Sequence, residues 1–153
     1  MRRYFDGLAV LTASAWVGGM WAVAYIAAPL LFHSLPDKSL AGVLAGKLFG
    51  VTAYMGMVCA VYLLVYYYTI SGKQVLRHSV FWVIVVMLLL ALLGQFGMQP
   101  LLAEIKAQAL PLYVMDSPYA ERFRWWHGAA SIAYLLQSLL GAVLLLKMYG
   151  SRR

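Results

Sequence analysis

Acidic residues are scarce in this chain, and its apolar stretches hold no charge at all. Of 153 residues five are Asp or Glu and twelve are Lys or Arg, yet none of these falls within Leu8–Phe32, Leu48–Ile70, Ser79–Met98 or Trp125–Leu146. Proton-coupled transporters and voltage sensors rely on ionisable groups at membrane depth, so this absence argues against both. The single cysteine, Cys59, rules out a disulfide within the chain. It lies inside an apolar run, where a thiol acts as a small apolar filler. The usual catalytic patterns are missing too: no acid–base pair at membrane depth, no nucleophile elbow, no phosphate-binding glycine loop and no closely spaced set of metal ligands. A non-enzymatic protein without a cofactor of its own is the expectation.

What the chain does have is length in its apolar runs. A helix needs roughly 20 apolar residues to cross a hydrocarbon core of about 30 Å, and all four runs meet that. In lipid each backbone N–H and C=O must be satisfied within the structure, which leaves helices or closed barrels. The runs show no period-two alternation, so helices follow. The prediction is an all-α integral membrane four-helix bundle, one domain over residues 1–153, in a bacterial-type inner (plasma) membrane. Composition agrees: 64% of residues are hydrophobic, 11% charged, and the mean hydropathy is +0.80, far from the balance of soluble domains. Met1-Arg2-Arg3 followed by Ala13-Ser14-Ala15 has the look of a signal peptide. The apolar stretch runs on to Phe32, however, so the segment is expected to stay.

The net charge of +7 raises the question of nucleic acid. The cations sit beside span ends rather than on one basic element, so anionic lipid headgroups are the expected partner and nucleic acid is not. Arg2, Arg3, Lys73, Arg77, Lys147, Arg152 and Arg153 fall on the side of both termini; Lys38, Lys47, Lys106, Arg122 and Arg124 fall on the other, diluted by Asp37, Glu104, Asp116 and Glu121. Cytoplasmic loops carry the cationic excess, which favours cytoplasmic termini.

Two connections lie on the opposite side. In His33–Lys47 the turn Pro36-Asp37-Lys38-Ser39 leads into Gly42, Gly46 and Gly50, a small-xxx-small repeat entering the second helix. Such spacing lets helix backbones approach closely, either within the bundle or between copies in a homo-oligomer. Gln99–Arg124 is the largest expected extramembrane piece, broken by Pro100, Pro111 and Pro118, with a short helix over Leu101–Leu110.

Polar groups at membrane depth mark the place to look for function. They are Thr12, Ser14, Thr52, Tyr54, Gln95 and Gln99, with a stripe of His127, Ser131, Tyr134 and Ser138 on one face of the last helix. Interhelical hydrogen bonding and contact with a solute or cofactor both account for that stripe. His33 ends the first span and His127 opens the fourth, at one membrane level, with Met98 near. Ordinary hydrogen bonding and ligation of haem iron or copper are the two readings of the pair, though no ligand motif supports the second. A polar mouth of His33, His127, Ser131 and Tyr134 is the candidate site.

Leu31-Phe32-His33-Ser34-Leu35-Pro36, then Gly42 and Lys47-Leu48-Phe49, with Phe123, His127-Gly128 and Ser131 further on, resemble the transmembrane protein 205-like family; Trp16-Val17-Gly18-Gly19-Met20 is similar to the first span of its bacterial members. The resemblance implies a four-helix integral membrane protein, with one animal relative associated with platinum-drug tolerance. His33 stands where the family pattern has Arg, and Ala130 and Tyr134 replace a Ser and an Asn. Small-solute or metal-related transport, or membrane homeostasis, is the expected role; a haem- or quinone-associated redox subunit is the alternative. Reporter fusions at Gly72 and Gln108 should report opposite compartments, with Gly72 cytoplasmic; the same compartment at both would contradict the four-span topology.

Overall fold

Apolar length does produce four helices that can cross a membrane: Tyr4–Ser34, Lys38–Arg77, Ser79–Ala109 and Ala120–Gly150. The computed structural model describes residues 2–150; Arg152 and Arg153, counted above among the cations, lie outside them. At 1.5 Å per residue, a rod of 31 residues is about 46 Å long, enough to pass the hydrocarbon core and reach both interfaces. The described residues contain no strand.

The first span consists of α1 (Arg2–Ala22), a π-helical segment Val23–Ala27 and α2 (Ala28–Ser34). The second is one helix, α3 (Lys38–Ser71). The third consists of α4 (Ser79–Leu92), a second π segment Leu93–Met98 and α5 (Gln99–Ala109). The fourth is α6 (Ala120–Gly150). Around the bundle α1 packs on α3, α3 on α4, α4 on α6, and α6 back on α1. All-antiparallel threading with sequence neighbours in contact is the simplest way to close four helices.

Two connections are tighter than the sequence suggested. The turn after α2 is only residues 35–37, because Asp37 caps α3: its carboxylate accepts from the backbone N–H groups of Ser39 (2.8 Å) and Leu40 (3.1 Å). Gly42, Gly46 and Gly50 thus lie well inside α3 rather than at its entry. Pro100 likewise does not break the third span. It stands just after the π segment Leu93–Met98, and the helix continues through it as α5.

Packing is dense in the half that holds the termini. Trp16, Val17 and Met20 of α1, Cys59, Ala60 and Leu63 of α3, Ile84 and Met87 of α4, and Leu144 and Met148 of α6 form one buried cluster. Its tightest contact is the Trp16 indole laid on Gly56, where an added methyl would overlap the ring, with Cδ1 and Cε2 at 3.0 and 3.1 Å. Gly141 meets Val17 almost as closely, at 3.0 Å. The Gly42, Gly46 and Gly50 repeat differs: a methyl there would meet its nearest neighbours at 3.7, 4.0 and 3.6 Å, ordinary contact distances. The outer faces carry Leu11, Val51, Val58, Leu89, Ile132 and Leu146, all exposed, as helices solvated by lipid should. Overpacking a core costs about 1–3 kcal/mol. Gly56→Ala should destabilise the bundle by that amount, and Gly46→Ala by much less, in unfolding measurements in detergent; equal effects would contradict this ranking of contacts.

Candidate functional site

Two prolines prepare the other half of the bundle. A proline inside a helix has no N–H to donate, and its ring crowds the carbonyl four residues before it. For Pro29 that carbonyl belongs to Tyr25 and for Pro100 to Phe96, and each lies within a π segment. At the end of each segment a backbone N–H reaches five residues back, from Ala28 to the Val23 carbonyl and from Gln99 to the Gly94 carbonyl. Local π geometry is one way a membrane helix re-satisfies the groups that proline frees. π segments of this kind occur often at functional sites.

Between the two widened segments lies a cavity of about 470 Å³. Ala24 and Tyr25 line it from the first segment, and Gly94, Gln95 and Met98 from the second. Phe49, Thr52 and Ala53 contribute from α3, Leu90 and Ala91 from α4, and His127, Ala130, Ser131, Tyr134 and Gln137 from α6. The walls are mostly apolar, with a few polar groups, and the volume is within the range of small-molecule sites.

Most of those polar groups already have partners. Thr52 donates to the Leu48 carbonyl and Ser131 to the His127 carbonyl, both at 2.8 Å, within their own helices. Three bonds tie spans together: Tyr25 Oη donates to Ser138 Oγ (3.0 Å), Tyr134 Oη to the Met20 carbonyl (3.0 Å), and Gln137 Nε2 to the Met87 carbonyl (3.4 Å). Phe49 meets the Tyr134 ring edge-on at 5.0 Å. Gln95 is different. Its Oε1 is buried without a partner, 3.6 Å from where a methyl on Gly50 would stand. An unsatisfied buried acceptor costs about 1–3 kcal/mol.

The cavity has an open side. Val23–Ala27 and α2 pack against α3, while α5 and Leu93–Met98 pack against α6. Among the described residues, neither Val23–Ala27 nor α2 packs closely against α6, so the first and fourth spans part here. Tyr25, Phe32, Ser131 and Leu135 stand exposed along the gap, and the Tyr25–Ser138 bond links the two spans across it.

Of the expected mouth, His127, Ser131 and Tyr134 line this cavity. His33 does not: it is exposed in the last turn of α2 and absent from the lining. Ser138, the fourth member of the stripe, is buried and bonded to Tyr25. The glycine repeat faces the third span, with Gly42 opposite Lys106, Gly46 opposite Gln99 and Gly50 opposite Gln95. No three His, Cys, Asp or Glu side chains gather among the described residues. Tyr25 was not singled out from the sequence. The signal that points to it is a pair of prolines, Pro29 and Pro100, at matching depth in the first and third spans, which run in the same direction.

Fold and site together define an integral membrane four-helix bundle with a cavity inside it. Residues 11–111 match the family described as Domain of unknown function (DUF4149), and the chain belongs to that family. The matched stretch contains both prolines and both π segments, whereas α6 lies beyond it. Comparison with curated proteins and with solved structures finds no match.

Proposed function

We propose that the protein is a non-catalytic binder of a small amphipathic molecule that dissolves in the membrane. Its apolar body lies between the two π segments, against the apolar walls of the cavity. The observation that carries this reading is the cavity itself, about 470 Å³ between two π segments, walled mostly by apolar side chains and open between the first and fourth spans. The gap between the first and fourth spans gives such a molecule a lateral route from the bilayer. With both termini cytoplasmic in a bacterial inner membrane, as the cation bias favours, the cavity opens toward the far side of the membrane. The likeness to the transmembrane protein 205-like family supports a part in membrane homeostasis, by holding or passing on such a molecule.

Ala53→Phe separates binding from folding, because its ring occupies empty space in the cavity and should leave cooperative thermal unfolding in place. Native mass spectrometry of wild type released from membranes should show one small non-covalent adduct, lost in Ala53→Phe. A wild type free of adduct, or an adduct kept by the variant, contradicts the proposal.

A further inference from the structure

One cation at the edge of the cavity has no anionic partner. Lys106 lies one turn beyond Leu102, which lines the cavity, and its side chain is half-buried. Its Nζ donates to the Gly42 carbonyl at 3.3 Å and stands 5.6 Å from the centre of the Phe123 ring. His127, a lining residue, stacks on that same ring at 5.4 Å. Phe32, also a lining residue, comes equally near to Gly42: Lys106 Nζ and Phe32 Cζ each lie 3.7 Å from where a methyl on Gly42 would stand. The ammonium is therefore at the rim, next to two residues of the wall. Among the described residues no carboxylate pairs with it; Glu104, on the same helix, accepts from Gln108 Nε2 at 3.1 Å instead.

An ammonium carries three donors and this one uses a single backbone acceptor, so two remain for an incoming anion. Partial burial would strengthen such a pair over one in water. Size narrows the occupant. At about 470 Å³ the cavity is in the range of sites that hold one small molecule, with room for an acyl chain.

We propose that the ligand is a long-chain carboxylate, a single-chain fatty acid, with its headgroup at Lys106 on the rim and its chain along the cavity. This rests on the cavity reading above and names the ligand class. The carboxylate comes from the bilayer through the gap between the first and fourth spans. Its chain covers the apolar wall, while Lys106 sets the preference for an acid over a neutral analogue.

The test uses the full chain in phosphatidylcholine nanodiscs, titrated with fluorescent cis-parinaric acid and, separately, with its methyl ester. The acid should bind at least about tenfold more tightly than the ester, as one charge-assisted pair would give. Lys106→Met should abolish that preference and leave ester binding unchanged, which shows the cavity intact; Lys106→Arg should keep it. Phosphatidylglycerol added to the discs should not displace the acid. Equal binding of acid and ester, a preference that survives in Lys106→Met, or displacement by phosphatidylglycerol overturns the carboxylate assignment while the cavity reading stands. Failure of both probes to bind refutes the two together.

Discussion

Inside a bilayer the backbone has no water to turn to, so each N–H and C=O must find its partner within the protein. Pro29 and Pro100 break that accounting in two of the four spans, and the rest of the structure follows from how it is repaired. Each span takes up the disturbance as a π segment just before its proline, and the helix continues beyond it. The first and third spans run in the same direction, so the two segments come to the same depth and face each other across the bundle axis. A space opens there that regular helices would have filled with side chains. The cavity is thus a consequence of backbone hydrogen bonding before it is a matter of side-chain chemistry.

The remaining half of the bundle makes that opening tolerable. Trp16, Met20, Leu63, Ile84, Met87 and Leu144 are almost wholly buried, held by the close approaches at Gly56 and Gly141. Beyond the cavity Ile105, Ala109 and Val114 pack with Tyr113 and Phe123 into a second, smaller cluster. The cavity lies between a dense base and this cap. Tyr134 joins α6 to the Met20 carbonyl, and Gln137 joins it to the Met87 carbonyl, at the boundary of the dense half. Low packing density next to a rigid scaffold is where local opening is least costly, which suits a site that must admit a guest.

The four spans were legible because crossing a membrane is a constraint of length and polarity, and both are written directly in the residues. Their ends were not. Asp37 ends a three-residue connection and caps α3 at once, and Pro100, a helix breaker by residue type, stands in a span that continues through it as α5. Small-residue spacing drew attention to Gly42, Gly46 and Gly50, but spacing alone does not show what faces a glycine. The Trp16 indole on Gly56 makes the tightest contact, and only tertiary structure reveals it. Within the site, depth and helical periodicity sufficed for His127, Ser131 and Tyr134, which share one face of one helix. His33 was placed by depth alone and points elsewhere than the cavity lining. Tyr25 needed the change of register that a π segment introduces, which no period of 3.6 residues contains.

Two prolines shift backbone pairing from four residues to five and so open the cavity. Through-hydrogen-bond couplings between amide nitrogen and carbonyl carbon, measured by NMR on isotope-labelled protein in detergent or nanodiscs, identify the acceptor of each N–H. The expected couplings join Ala28 to Val23 and Gln99 to Gly94. Couplings from Ala28 to Ala24 and from Gln99 to Gln95 would mean regular α-helix through both positions, and would contradict the account.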